Sequence, residues 1–316
     1  MLRRHSSPAL AWSPRAIIPS VAPVTGTARA AERRTQRVPP TLLVLGAVSS
    51  VQVGAALAKT LFDELGAGGT VFLRVLFAAL VLALVWPPRL RGHGSRDLGL
   101  AVVYGITLAG MNLAFYSSID RIPLGIAVTF EFVGPLSVAV VGSRRALDLV
   151  WVGLAAAGIL LLSDFGSGDL DALGVGLALL AGSFWAAYIL LSVRVGKAFP
   201  GGSGLALAML VATVPLAPVG IAQAGSELLV PGALLVAAGV GILSSAIPYT
   251  LEIEALRRMP TGVFGVLMSL EPAVAAIAGY VVLGEGLVTR EIAAVALVVG
   301  ASAGAASGAT VAPRDA

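Results

Sequence analysis

Arg121-Ile-Pro123-Leu-Gly125 is matched 137 residues later (258 − 121 = 137) by Arg258-Met-Pro260-Thr-Gly262. Each stretch opens an apolar run, and each run carries a second proline twelve residues past the first, Pro135 and Pro272 (135 − 123 = 272 − 260 = 12). Gly142 and Gly279 correspond at the same offset. Arginine, proline and glycine recurring together at fixed spacing mark an internal duplication, because chance resemblance in an Ala/Gly/Val-rich chain does not align the rare residues.

Around these two runs the chain has the composition of a membrane protein. It is 57% hydrophobic and 12% charged, with a mean hydropathy of +0.94, whereas a soluble domain is about a quarter charged. The apolar residues arrive in runs of roughly 20, the length that crosses a hydrocarbon core of about 30 Å at about 1.5 Å rise per residue. Strands of a β-barrel would show short alternating segments instead. The runs predict ten spans, at 41–61, 70–86, 98–118, 123–142, 147–163, 173–193, 205–222, 233–253, 261–283 and 287–304. Gly66, Gly68 and Gly69 read as the break between the first two.

Loop charges orient the stack. Arg89, Arg91 and Arg96, Arg144 and Arg145, Arg194 and Lys197, and Arg257 and Arg258 fall in alternate connections with the Arg-rich N-terminal stretch. The other connections hold Lys59 beside Asp63 and Glu64, Asp120 with Arg121, Asp164 with Asp169 and Asp171, Glu227, and Arg290 with Glu291. The basic side is cytoplasmic by the positive-inside rule, which places both termini inside, and the expected location is an inner membrane. The duplicated runs are spans four and nine, an odd five apart, so they cross in opposite senses. The expected fold is therefore an all-α membrane protein of ten transmembrane helices in two inverted five-helix repeats, 39–164 and 165–309, after a basic cytoplasmic tail, 1–38. Inverted repeats are an architecture of secondary transporters, with the substrate site at the midplane between them.

Composition excludes several chemistries. There is no cysteine, and the two histidines, His5 and His93, lie outside the apolar runs, so neither a thiolate or imidazole metal site nor a Cys or His catalytic centre is expected, and no cofactor is called for. The net charge of +4 does not signal nucleic-acid binding. An intramembrane enzyme would need a nucleophile–base pair or metal set on facing spans, for which Glu131 and Glu271 offer only a bare carboxylate pair. A receptor would need a sensing domain.

Polar residues inside the apolar runs each cost about 2.5–3.5 kcal/mol at a helix centre and need a reason. Glu131 lies near the middle of span four among residues that cannot pair with it. It reads either as a proton- or ammonium-binding carboxylate facing a cavity or as a glutamate hydrogen-bonded to another helix. Glu271 precedes Pro272, which deprives the carbonyl one turn back of its donor; this is a cavity lining or a structural kink. Arg74 can hold a substrate carboxylate or snorkel to the outer interface, and Lys59 reads the same way. Gln52, Asn112, Tyr116, Tyr188 and Tyr249 add neutral polar groups, and Asn112 and Tyr249 correspond at the 137-residue offset (249 − 112 = 137). Gly134, Pro135 and Pro272 read as helix breaks. Gly300, Gly304 and Gly308 form a helix-packing or homodimer face. Aromatics are only 6% of the chain, few for a broad drug pump, and Arg74 alone at depth is too little base for a phosphate-sugar exchanger.

Further stretches carry a resemblance to a known family. They are Ser50-Val-Gln52-Val-Gly54-Ala-Ala-Leu-Ala-Lys59, Tyr104-Gly105, Gly110-Met111-Asn112, Pro123-Leu-Gly125-Ile-Ala-Val, Glu131-Phe-Val-Gly134-Pro135-Leu, Ser143-Arg144-Arg145 and Met268-Ser-Leu-Glu271-Pro272-Ala. The chain resembles the EamA-type members of the drug/metabolite transporter superfamily over most of residues 41–305. The resemblance implies efflux of small zwitterionic amino acids of the threonine and homoserine kind in exchange for protons, by alternating access within membrane lipid. A relative exporting another metabolite or drug on the same scaffold is the alternative. A zwitterion needs an anionic and a cationic or dipolar partner, roles that suit Glu131 for the ammonium and Arg74 or a broken helix N-terminus for the carboxylate.

Overall fold

The computed structural model describes residues 38–310 except 89, 142–146, 163–170, 257 and 260. The tail before residue 38, Gly142, the Arg144–Arg145 pair, Asp164, Asp169, Arg257 and Pro260 therefore lie outside the described residues.

The described chain is helical. In order it forms α1 (Pro40–Lys59), α2 (Phe62–Val85), α3 (Ser95–Ile119), α4 (Leu124–Glu131), α5 (Val133–Val141), α6 (Leu147–Leu162), α7 (Ala172–Ala198), α8 (Ser203–Ala224), α9 (Pro231–Gly241), α10 (Ile247–Leu256), α11 (Thr261–Met268), α12 (Glu271–Ala278) and α13 (Thr289–Thr310). A π-helical turn, Ile242–Ala246, joins α9 to α10, and another, Gly279–Leu283, ends α12. Local signals set several ends. Pro40 and Pro231 sit in the first turn of α1 and α9, where a missing N–H costs nothing. The Asp171 carboxylate caps α7 by accepting from the Leu173 and Gly174 amides at 2.8 and 3.3 Å.

Among the described residues six helical stretches are long and apolar enough to cross a membrane: Pro40–Lys59, Phe62–Val85, Ser95–Ile119, Ala172–Ala198, Ser203–Leu229 and Pro231–Glu252. Their outer faces expose large apolar side chains, Leu84, Leu235 and Val214 among them, as a lipid-facing surface requires. The two runs that carry the duplicated motif are instead broken. The first is interrupted at Phe132 between α4 and α5, and the second at Ser269–Leu270 between α11 and α12; the two breaks correspond at the 137-residue offset (132 + 137 = 269).

The glycines at 66–69 do not form the expected break between spans. α2 starts at Phe62 and passes through them with one kink at Gly66, φ 65°. Their lack of side chains serves packing, since the Gly68 amide donates to Gln223 Oε1 of α8 at 2.7 Å.

α2 packs along α8, α3 along α7 and α8, α6 along α13, α1 along α10 and α12, α9 along α2, α5 along α7, and α4 lies between α7 and α12. Every residue of α4 is buried, and its sequence is apolar apart from Thr129, whose hydroxyl bonds the Gly125 carbonyl at 2.7 Å, and Glu131. One core, with Val71, Val75, Leu82, Leu108, Met209 and Leu216, fills the space between α2, α3 and α8. A second surrounds α4 with Ile122, Ile126, Phe130, Ala178 and Ala275. Gly304 meets Trp151 of α6, so this part of the glycine face is spent inside the chain, while Gly300 has open space beside it.

Two consequences are testable. A Cβ on Gly134 would stand 1.9 Å from the Gly182 carbonyl oxygen, where α5 meets α7, whereas one on Gly153 meets nothing within 4 Å. Gly134→Ala is expected to destabilise by about 1–3 kcal/mol, as overpacking does, and Gly153→Ala to be neutral, read by thermal unfolding in detergent. At the end of α3, the Arg121 guanidinium lies 3.0 Å from Asp171 and, together with the Leu173 amide, holds the Asp171 carboxyl below its ordinary 3.8. A carboxyl depressed on folding stabilises above its unfolded value and loses that contribution as pH falls through its folded value. The difference in thermal midpoint between the parent and Asp171→Asn is therefore expected to be present at pH 7 and to shrink on acidification below about pH 4.

Candidate functional site

A cavity of about 480 Å³ lies among α1, α2, α3, the α4–α5 break, α7, α10 and the α11–α12 break. Prolines shape its polar wall. Pro135, Pro248 and Pro272 have no N–H to give to the carbonyls four residues back, those of Glu131, Ser244 and Met268. All three of these residues line the cavity. The π-turn ahead of Pro248 is the local rearrangement that such a loss produces, and the released Ser244 carbonyl accepts from Arg74 Nη2 at 3.4 Å. Gly54 allows this arrangement, because a Cβ there would come within 2.3 Å of Ser244 Oγ and force α1 away from the turn.

Arg74 organises one pole. It lies twelve residues into the 24-residue α2 (74 − 62 = 12), at mid-helix and not close to the outer end as the expected start at Thr70 implied. Nη1 donates to Asn112 Oδ1, whose own amide is held by the Leu108 carbonyl at 2.8 Å. The guanidinium sits 5.2 Å above the Tyr116 ring, a cation–π contact that favours the charge in an apolar wall. Nε of Arg74 is buried with no hydrogen-bond partner among the described residues, and the Tyr116 and Ser244 hydroxyls lie beside it, in reach of each other. This pole thus presents donors.

The other pole presents acceptors. Gln52 Nε2 donates to Glu271 Oε1 at 3.0 Å across 219 residues of sequence, leaving Gln52 Oε1 and Glu271 Oε2 buried and unpartnered among the described residues. Glu131 is buried and in electrostatic reach of both Glu271 and Arg74. A third carboxylate, Glu252, lines the same cavity and is in electrostatic reach of Glu271. Three acids and one arginine leave two more acids than bases.

The six polar residues expected from the sequence, Gln52, Arg74, Asn112, Glu131, Tyr249 and Glu271, all line this one cavity, as does Pro135. Pro272 is buried at the head of α12, and Gly134 lies two residues past the break, against Gly182. Glu252, Ser244 and Ser302 also line the cavity and were not anticipated. Glu252 has a legible signal, standing at the i, i+3/i+4, i+7 positions of one helix face with Ser245, Pro248 and Tyr249. The sparse aromatics are also concentrated here. Phe115, Tyr116, Phe132, Trp185, Tyr188, Tyr249 and Phe264 line the walls, with Phe132 edge-on to Trp185 at 5.5 Å. Low aromatic content therefore does not make the pocket poor in aromatics.

Residues 172–306 match the model of the EamA-like transporter family. The threonine/homoserine exporter RhtA of Salmonella typhimurium (strain LT2) is 45% identical over 268 residues, 84% of this chain and 90% of that one. The protein of the same name from Escherichia coli (strain K12) is 44% identical over the same shares. A solved crystal structure is similar with a TM-score of 0.55 at 20% identity, covering 84% of this chain and 96% of that one; that likeness concerns the fold alone.

Removing Asn112 Oδ1 leaves Arg74 Nη1 without its acceptor, with only the long Nη2 bond to the Ser244 carbonyl remaining. Asn112→Ala is expected to cost about 1–3 kcal/mol of stability, read as a lower thermal midpoint in detergent. An Arg74→Met change in the same background should recover part of the loss.

Proposed function

We propose that this chain, which belongs to the EamA-like transporter family, exports small zwitterionic amino acids of the threonine and homoserine kind across the bacterial inner membrane. The observation that carries the reading is the division of the cavity into two poles. Unpartnered donors gather around Arg74, and unpartnered acceptors around Gln52 and Glu271. A buried polar atom without a partner costs about 1–3 kcal/mol, so a site with this many is built for a ligand that supplies them. An α-carboxylate completes Arg74 Nε and takes a further bond from the Tyr116–Ser244 hydroxyl pair; an α-ammonium completes Gln52 Oε1, Glu271 Oε2 and Glu131. Ser302 Oγ, also buried without a partner among the described residues, offers a bond to a side-chain hydroxyl. The names of the two relatives point to the same substrates.

The transport cycle follows from the arrangement of the helices. The matched breaks in the duplicated runs support ten spans in two inverted repeats, divided between 39–164 and 165–309. So does the list of packing partners: exchanging each helix for the one about 137 residues away turns the α3–α7 pairing into α10–α1, α3–α8 into α9–α2, and α5–α7 into α12–α1. The α2–α8 and α6–α13 pairings map onto themselves. Halves related this way have two nearly equivalent packings, one open to each side, with the cavity between them. Both termini then face the cytoplasm.

Exchange for protons balances the charges. Two carboxylates in excess over arginine in an apolar cavity repel strongly at low dielectric, and a bound ammonium or bound protons relieve that repulsion in turn. Glu131 is the proposed carrier, with Glu252 and Glu271 as the acids that share its charge. The aromatic walls favour a second reading, a wider set of small metabolites with apolar sides.

In cells overproducing the chain, external threonine and homoserine are expected to rise and tolerance to both to increase; a screen in which neither moves but another metabolite does would replace the substrate assignment. In everted vesicles, proton-driven uptake is expected to be abolished by Glu131→Gln and weakened at least about tenfold in apparent affinity by Arg74→Gln, the scale of one lost charge-assisted bond. Undiminished coupling in Glu131→Gln would sink the assignment of the proton to that residue.

A further inference from the structure

At the ends of α1 and α12 away from α10 and α11, one carboxylate ties together three helices that carry the cavity. Lys59 is the last residue of α1, and Glu285 follows the left-handed Gly284 that closes the turn after α12. Lys59 Nζ lies 2.5 Å from Glu285 Oε1 and 3.4 Å from the Ile122 carbonyl. Glu285 Oε2 accepts the Leu124 amide at 2.8 Å, at the first residue of α4, where the helix dipole favours an anion. The Glu285 amide in turn donates to the Gly279 carbonyl at 3.1 Å, and a Cβ on Gly279 would stand only 2.8 Å from Oε2. The two charged side chains are 21% and 16% exposed, so the pair is far better shielded than a surface ion pair of negligible worth.

The tie has a fixed relation to the site. Gln52 is seven residues before Lys59, and Glu131 seven residues after Leu124 (59 − 52 = 131 − 124 = 7), two turns or about 10 Å along each helix. Glu271 lies on the helix that delivers Glu285. The three acceptor residues of the site therefore hang on the three elements that the Glu285 carboxylate joins. At the far end of the bundle the cavity reaches Glu252 and Phe264, each within about one turn of a helix end; the ion pair there, Arg258–Glu254 at 3.1 Å, joins residues four apart in the chain, and Arg258 Nη1 also donates to the Val38 carbonyl ahead of α1 at 3.2 Å.

We infer that Glu285 is a positioning residue of transport: the Lys59–Glu285–Leu124 clasp closes the outer end of the cavity and must open to release substrate outside. The inference rests on the transporter reading above and on the orientation that places Lys59 outward. Breaking the clasp lets α1, α4 and α12 separate at that end only, which is the movement an outward-open state needs.

The absence of cysteine from the chain makes the test direct. Ala55→Cys introduces one thiol on the cavity wall, one turn inside Lys59, and a membrane-impermeant maleimide reports its exposure in intact cells and in inverted vesicles. Glu285→Ala and Lys59→Met are expected to speed labelling from outside by about tenfold, the scale of one charge-assisted bond. Lys59→Arg should keep it slow, and Glu285→Gln, which retains an oxygen for the Leu124 amide, should fall between. Retained labelling in inverted vesicles shows that each variant is folded. Outside labelling equal to the parent in Glu285→Ala, Glu285→Gln and Lys59→Met overturns the inference, as does fast labelling in Lys59→Arg or acceleration confined to inverted vesicles. Labelling needs no substrate, so failure of amino-acid export with the clasp effects intact refutes the substrate assignment alone.

Discussion

A carboxylate in the middle of an apolar helix must find its partner on another helix, and the Gln52–Glu271 hydrogen bond is where this chain meets that demand most directly. Hydrocarbon offers no water to satisfy a stray donor or acceptor, so each polar intrusion dictates which helices touch. Glu271 draws α12 against α1, Arg74 draws α2 towards Asn112 of α3 and the turn before α10, and Glu285 fastens α1 to the start of α4. The apolar core fills the space that these contacts leave.

Proline is the second device, and it works by subtraction. Each proline around the cavity removes one N–H from a ladder that would otherwise be complete, and the freed carbonyl becomes part of the wall. Because the breaks fall where helices cross near the middle of the bundle, the irregular backbone lines a cavity and is kept from lipid. Small residues do the complementary work. Gly54 and Gly134 bring backbones close enough for the polar groups of neighbouring helices to face one space.

The result is a pocket whose polar atoms outnumber their partners and divide by kind, donors to one side and acceptors to the other. Such an arrangement is costly when empty and is relieved by a ligand of matching polarity. The same reasoning explains why the clasp matters. A site assembled from three helix ends responds to whatever joins or frees those ends, so a single carboxylate two turns away can govern access to it.

Much of this was legible from residue order alone. Long apolar runs dictate helices, and isolated polar residues within them, Gln52, Asn112, Glu131, Tyr249 and Glu271, favour facing inward because lipid will not take them; Arg74, which residue order left free to snorkel outward, joins them, and all six line one cavity. The recurrence of Arg-x-Pro-x-Gly with its later proline located both helix breaks to within a few residues. What residue order did not reveal depends on the partner in space. Glu252 and Glu285 lie near the ends of apolar runs, where a charge reads as interfacial until the neighbouring helix is known. Glycines 66–69 read as a loop because glycine breaks helices in isolation, yet packing against α8 keeps them helical. Sequence by itself determined the class of fold and which polar residues would be buried, since burial cost is a property of each residue type; only the tertiary structure decided who pairs with whom, since pairing depends on the crossing of helices far apart in the chain.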